Sequence, residues 1–347
     1  MENNCLVTKL KANVNDNSLL KIGEIRFTRR LNEKTASIRL NFSTYPVVIE
    51  TLDGSACLTF DESMLTGLTN RLVLDSLKYF YVKNTGVVLR LNEKYNLSSI
   101  ETDVFTINLD DLKYCTKLEN ISGPNCKGSL ESIKTLPIKV LAGLKFEQSQ
   151  YISSLSGLTS LSNITLYHVD NIEGDISSLS SLTGLNTIGF TSKKLIGDIS
   201  SLSSLTGLTY VNLENTRVTG DISSLSGLTG LTYVNLGATS VTGDISSLSG
   251  LTGLGNLIGF FTSISGNVSS LGALTSLTLF NFPNSNVSGE IIDYVISQRN
   301  HGRSTGTTRF EVPTSVTFNG KAINKFSLIS WTSTTITNET TSETVNR

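Results

Sequence analysis

Charge is scarce in this chain. Asp, Glu, Lys and Arg together make up 16% of 347 residues and nearly cancel, to a formal net charge of -1. No basic face for a phosphate backbone is therefore expected, and no nucleic-acid partner. Histidine is scarcer still, at two residues. With no HExxH, no GxSxG and no phosphate-binding Gly loop, the motifs of metal-assisted, nucleophilic and phosphoryl-transfer chemistry are missing. The acidic pair Asp110-Asp111 reads as a solvated turn. No catalytic residue and no cofactor are expected, and the chain reads as something other than an enzyme.

Long apolar runs are missing too. No stretch approaches 18 apolar residues, so membrane insertion is not expected. The opening MENNCLVTKLKANVNDN has no apolar core behind a basic start, so it does not read as a secretory signal. Synthesis and initial residence in a bacterial cytoplasm are the expectation. The four cysteines, Cys5, Cys57, Cys115 and Cys126, have no metal-binding spacing and read as reduced thiols. A Cys115–Cys126 disulfide stays open.

What is abundant is repetition. Gly174, Gly197, Gly220, Gly243, Gly266 and Gly289 are spaced 23 residues apart, and GDISSLSSLTGLTYVNLENTRVT is the unit. Its apolar positions are Ile199, Leu202, Leu205, Leu208, Val211, Leu213 and Val218. Steps of three dominate one half and a step of two marks the other, a pattern that neither one helix nor one strand produces. The Val211–Leu213 step predicts a short strand with both side chains inward and its polar neighbours outward. One such coil cannot bury its apolar side alone, so coils must stack, strand beside strand at ~4.8 Å. Leu205, Leu228 and Leu251 should then lie one above another.

These residues resemble the leucine-rich-repeat family. Its motif LxxLxLxxN is met by Leu208, Val211 and Leu213, with Thr216 in place of the usual Asn. The tail VTGDISSLSSL is similar to the plant-type LxGxIPxxLxxL half, with Ser for Pro and one residue fewer. The resemblance implies a mainly β solenoid with short helical or 3-10 segments. Its motif specifies architecture and leaves the ligand open. The hydroxyls of Thr216, Thr239, Thr262 and Ser285 are expected to satisfy loop backbone groups.

The domain plan follows. Residues 1–63, with alternating runs such as EIRFTR and ASIRLNF, predict a small N-terminal β-domain. Residues 64–106 read as a transition or N-terminal cap. LKYFYVKNTGV at Leu77 echoes LTYVNLENTRV, so the solenoid could start there. Residues 107–288 are the solenoid, its first coil carried by Leu109, Leu112, Cys115, Leu118 and Ile121. Residues 289–347 form a C-terminal cap: a helix with Ile291, Ile292, Val295 and Ile296, a hairpin around Asn319-Gly320, and a solvated polar tail from about Thr332.

Two surfaces are candidate sites. The outward strand positions carry Tyr167, Tyr210, Tyr233 and Phe260, with Asn163, Asn212, Asn235, Asn256 and Asn281 near them. Aromatic faces beside amides suit a protein partner or a sugar ring, although stacked Tyr210 and Tyr233 could serve only the sheet. The second surface is the ladder of Asp175, Asp198, Asp221 and Asp244, followed by Asn267 and Glu290. Either each Asp accepts hydrogen bonds from the turn after it, or calcium sits between them.

The opening NCLVTKLKANVNDNSLLKIGEI resembles N-terminal segments of proteins from gut Bacteroides and their crAss-like phages. That resemblance implies an attachment module at Cys5–Ile25 and a virion component, on a tail or head appendage, that displays the repeats for adhesion or particle assembly. Its partners would be other virion proteins or a host surface protein or glycan. The alternatives are an ordinary edge strand at the N-terminus and a bacterial leucine-rich-repeat protein, cytoplasmic or at the cell surface, that binds protein or glycan.

Overall fold

A computed structural model describes residues 109, 118–123, 125–166, 171–323 and 326–346, and the strands alone before residue 109. It divides into two compact units, Met1–Gln148 and Ser149–Arg347.

The first unit holds an antiparallel sheet. Strands Glu24–Arg29, Ala36–Phe42, Tyr45–Leu52 and Ser55–Phe60 pair in succession. The sheet then takes in Val87–Glu93, Lys78–Lys83 and Val73–Leu74. Within the Leu77 echo of the repeat, Lys78–Lys83 pairs antiparallel with Val87–Glu93. Lys78–Lys83 and Val87–Glu93 are alternating runs separated by only Asn84-Thr85-Gly86. So short a link closes an antiparallel hairpin, whereas a parallel return needs a dozen or more residues. Parallel pairing begins instead at Ser99, eight residues before Ile107. Ser99–Glu101, Asn120–Ser122 and Val140–Ala142 form one ladder. Thr106–Asn108, Asn125–Lys127 and Lys145–Phe146 form another. Leu109, Leu118, Ile121, Leu130 and Leu141 are fully buried.

The second unit is a leucine-rich-repeat solenoid. Strands Asn163–Leu166, Thr187–Phe190, Tyr210–Asn212, Tyr233–Asn235, Asn256–Ile258 and Leu279–Asn281 pair in parallel, each with the next. A second parallel ladder runs along the other edge, through segments such as Thr219–Asp221 and Ser240–Thr242. Between the two, each coil makes a 3-10 turn, for example Ile199–Leu202 and Ile222–Leu225. The turn accounts for the steps of three, because residues i and i+3 eclipse in a 3-10 helix and fall on one side. The strand accounts for the step of two. Ile199, Leu202, Leu205, Leu208, Val211, Leu213 and Val218 are all fully buried, and so are Leu228 and Leu251. Register places Val211 beside Val234 and Val234 beside Leu257.

The turn-opening glycines are fixed twice over. Gly220 has φ 105, a region open to glycine at no steric cost. A Cβ there would also stand 2.7 Å from Asp198 Cγ of the coil before. The loop hydroxyls act as expected: Thr216 donates to Leu213 O and Thr239 to Leu236 O, both at 2.6 Å, and Ser285 donates to Phe282 O at 2.7 Å.

The solenoid closes on the helix Ile291–Asn300, which buries Ile291, Ile292, Tyr294, Val295 and Gln298. Carbonyls of the last coil, which would otherwise be buried without a donor, receive cap side chains. Gln298 Nε2 donates to Leu274 O at 2.9 Å, and Arg303 Nη1 and Thr308 Oγ1 donate to Leu277 O at 2.8 and 2.9 Å. Burial pushes the Tyr294 phenol up to about 12. Val316–Phe318 pairs with Lys321–Ala322 through Asn319 and Gly320, both at positive φ. Gly306–Glu311 continues the parallel ladder, and Ser327–Trp331 turns back against it.

The polar tail is structured where solvation was expected. Thr335–Asn338 and Glu343–Asn346 extend the sheet as antiparallel strands, with Ile336 fully buried. Threonine is polar, but its β-branched side chain suits a strand.

Candidate functional site

The outer face of the Asn163–Asn281 strands is set by alternation. With Val211, Val234 and Leu257 inward and fully buried, their neighbours form rows across the coils. One row runs Thr187, Tyr210, Tyr233, Asn256, Leu279 and Arg309, each in register with the next. A second runs Asn212, Asn235, Ile258, Asn281 and Glu311. A third, just past the strands, contains Glu214, Gly237, Phe260 and Pro283.

Tyr210 and Tyr233 stack with ring centroids 4.4 Å apart and planes at 9°, and both remain half-exposed. Burial, the Tyr210 phenol and, more weakly, the Glu214 carboxylate raise the Tyr233 phenol above its ordinary 10.0. Glu214 is half-exposed, and two amides hold its carboxylate: Asn235 Nδ2 at 2.8 Å and Asn215 Nδ2 at 3.1 Å. Phe260 is half-exposed and lays its ring over Gly237, where a Cβ would come within 2.6 Å of Phe260 Cδ1. Next to it, Phe261 is 64% exposed, takes φ 52 and meets Phe260 edge-on with centroids 6.0 Å apart. A positive φ is costly for a bulky residue. The same place in other units holds Asn215, Ala238 and Asn284, all at positive φ, so the coil imposes this conformation, which asparagine tolerates best.

The outward asparagines divide by environment. Asn212 and Asn235 are only 8% and 3% exposed. Their Oδ1 atoms accept from Glu214 N and Gly237 N, each at 3.0 Å, so these amides tie down the loop after the strand. Asn281 stands in the same row, but the residue two on is Pro283, which has no N–H. Its Nδ2 donates to Glu311 Oε2 at 2.7 Å, while its Oδ1 is buried with no hydrogen-bond partner. Asn256 is half-exposed, and its Oδ1 accepts from Thr278 Oγ1 at 3.3 Å. Asn163 is half-exposed on the first of these strands. Tyr167, with His168, lies outside the described residues.

Sequence reasoning placed Glu214 on the outward face without making it a site residue, and passed over Phe261 and Arg309. Arg309 pairs with Glu311 and stacks over Phe326, 4.4 Å from its ring centroid. The available signal was variation between coils: the place of Glu214 holds Gly237, Phe260 and Pro283 in the next three, and Phe261 stands where Asn215 and Asn284 do.

The Asp ladder caps the 3-10 turns. The Oδ1 atoms of Asp175, Asp198, Asp221 and Asp244 accept from Ser177, Ser200, Ser223 and Ser246 N, each at 2.8 Å. Hydrogen bonds from Ser223 hold the Asp221 carboxyl below its ordinary 3.8. Among the described residues, no three His, Cys, Asp or Glu side chains gather as a metal-holding set, and no helix is long and apolar enough to cross a membrane. Glu290 ends the ladder by capping the helix, accepting from Ile292 N at 3.4 Å, and also reaches the cap hairpin through Thr317 Oγ1, Asn319 N and Gly320 N at 2.7, 2.8 and 3.0 Å. His301 Nδ1 lies 2.7 Å from Ser297 O at the helix end. Cys126 is buried, which pushes its thiol up to about 12; Cys115 lies outside the described residues.

No protein-family model matches the sequence, and no curated protein matches it. Similar solved structures include the leucine-rich-repeat ectodomain of the plant membrane receptor kinase GASSHO1/SCHENGEN3 from Arabidopsis thaliana, in complex with Casparian strip integrity factor 2. It is 23% identical with TM-score 0.47, over 56% of this chain and 24% of that one. The ectodomain of the Arabidopsis receptor kinase HAESA, with a peptide hormone ligand, is 23% identical with TM-score 0.42, over 54% and 37%. An internalin C2 from Listeria monocytogenes is 20% identical with TM-score 0.39, over 68% and 87%. This chain spans between about a quarter and two fifths of the length of these plant ectodomains. The likeness is one of fold.

Proposed function

We propose that the chain is a non-enzymatic binding protein that holds a protein partner on the outer face of its repeat strands. One observation carries this: aromatic area stands exposed where stacking of the coils does not require it. Tyr210 and Tyr233 bring rigid, half-exposed rings together, and Phe261 is 64% exposed in a backbone conformation that costs energy. Rigid aromatics supply contact area at low entropy cost and are enriched where interfaces concentrate their energy. Strain held at an exposed residue is characteristic of functional positions. Parallel arrays of peptides and oligosaccharides, probed with wild type and with Tyr210→Ala, Tyr233→Ala and Phe261→Ala, test the face. Loss of peptide binding in these variants is the expected result; binding that survives all three would remove the face from consideration.

At a finer level, we propose that the protein is a virion component of a Bacteroides-infecting phage, assembled in the host cytoplasm, whose repeats serve adhesion or particle assembly. The support is the likeness of residues 5–25 to the N-terminal segments of such proteins. The bacterial leucine-rich-repeat alternative shares the same binding face. Mass spectrometry of purified virions separates the two, since absence from the particle would leave only the second.

A further inference from the structure

The binding face carries one charge. In the three outward rows of the coils from Asn163 to Pro283, Glu214 is the only charged side chain among the described residues, and no ion pair among them involves it. Its carboxylate is set rather than loose, because Asn235 and Asn215 each give it one amide hydrogen bond. A carboxylate accepts about four hydrogen bonds, so two amides leave it half used. Aromatic groups stand on two sides. The Tyr210–Tyr233 stack lies in the row at the strand start, close enough for Glu214 to act on the Tyr233 phenol. On the other side the Phe260 ring covers Gly237, which occupies Glu214's own place one coil on.

From this arrangement, we propose that Glu214, with the rings of Tyr210, Tyr233 and Phe260 around it, is the seat for a single basic side chain, arginine or lysine, of the protein partner. The proposal rests on the outer face being the binding face and names what that face selects. Charge complementarity carries it. A preorganised, half-exposed carboxylate with unused acceptor capacity attracts a cation through charge-assisted hydrogen bonds, and ring faces attract the same cation through their quadrupoles. The chain itself contains the same combination, supplied from within: Arg309 pairs with Glu311 while stacking on Phe326. At Glu214 the carboxylate and the rings are present and the cation is not. A neutral sugar could donate hydroxyls to the carboxylate but would leave its charge unneutralised, which favours a basic peptide.

The test uses the full chain and a yeast-displayed library of random dodecapeptides. Enriched peptides are expected to share an arginine or lysine. For a synthetic peptide of that set, replacing the arginine by citrulline, which has the same shape without the charge, should weaken binding to wild type by about tenfold or more. On Glu214→Gln the same replacement should change affinity less than about threefold, since the coupling between the two groups is what the cycle isolates. A thermal melt establishes that Glu214→Gln is folded; should it not be, Tyr233→Ala takes its place in the cycle. Peptides enriched without any basic residue overturn the proposal, and so does a citrulline penalty equal on wild type and variant. If such peptides still lose binding to Tyr233→Ala, the face stands and only its cation seat falls. If no peptide binds, or none depends on Tyr210 or Tyr233, the face falls with it.

Discussion

Restoring the repeat consensus at Gly272 should damage the protein. The C-cap of each regular 3-10 turn is serine, at Ser203, Ser226 and Ser249, and in the last coil it is Gly272. Consensus substitutions in repeat proteins commonly stabilise. Here a Cβ would overlap Ser297 Oγ and Cβ and stand 3.1 Å from the Ser297 carbonyl carbon. A side-chain rotation moves Oγ but not Cβ, so the whole helix Ile291–Asn300 must retreat. Overpacking of that kind costs ~1–3 kcal/mol. Retreat also strains the buried bond from Gln298 Nε2 to Leu274 O, whose loss costs ~1–3 kcal/mol. The sum, ~2–6 kcal/mol, falls on the cap. Because a repeat array need not melt in one step, hydrogen exchange followed by mass spectrometry over residues 274–300 is the suitable assay. At the lower bound, local opening should become ~30-fold more frequent in Gly272→Ser. Gly250→Ser is the control, since a Cβ at Gly250 meets nothing within 4 Å. Equal protection in wild type and Gly272→Ser, or equal loss in both variants, would refute the reasoning.

Leu228→Ala removes a fully buried rung and should cost ~2–5 kcal/mol, with exchange rising in the coils of Leu205 and Leu251 as well as its own; loosening confined to one coil would contradict shared burial. The Asp221 cap should depend on pH with a definite sign. Its folded carboxyl is held below 3.8, so its contribution is complete above that value and disappears as pH falls below it. Melts of wild type and Asp221→Asn from about pH 6 to about pH 2.5 should converge at the acid end. Phe261→Asn should raise stability by ~1 kcal/mol by relieving the positive φ, while weakening partner binding; denaturant titration and binding assays read the two effects separately. Glu290→Ala removes the acceptor of four hydrogen bonds, from Ile292, Thr317, Asn319 and Gly320, and should cost ~2 kcal/mol or more, read as earlier unfolding of the cap hairpin.

Where one side chain had one place to go, residue patterns sufficed. The 23-residue spacing of glycines, the rungs from Ile199 to Val218 and the Asn319-Gly320 turn were all legible, because burial and backbone conformation leave few alternatives there. Legibility failed where two uses of one residue type compete. Thr335–Asn338 reads as polar tail or as strand, and only the antiparallel partner Ser327–Trp331 decides. Leu77–Val87 echoes the pattern of the repeat, yet Lys78–Lys83 pairs with the run immediately following, so proximity along the chain prevailed over similarity to a distant unit. Asn212 and Asn235 alternate outward as expected, but whether an outward amide is available depends on the N–H two residues on, a contact that periodicity does not describe.

Departures from the unit therefore carry the functional information, once those with a structural cause are set aside. Gly272 departs because a helix lies on it. Glu290 departs because one more methylene lets the carboxylate reach the cap hairpin. Gly237 departs because the Phe260 ring fills its side-chain space, and Gly259 likewise under Phe282. After these, Glu214 and Phe261 stand out on the outer face. Glu214 puts a charge where its row is otherwise neutral, and Phe261 puts a ring into solvent at positive φ where asparagine would be relaxed. Stacking of the coils fixes neither place, since the first holds Gly237, Phe260 and Pro283 in the following coils and the second holds Asn215, Ala238 and Asn284 in other coils. The placement of Glu214 and Phe261 on one face, one coil either side of Gly237, is what an occupant in contact with both would use.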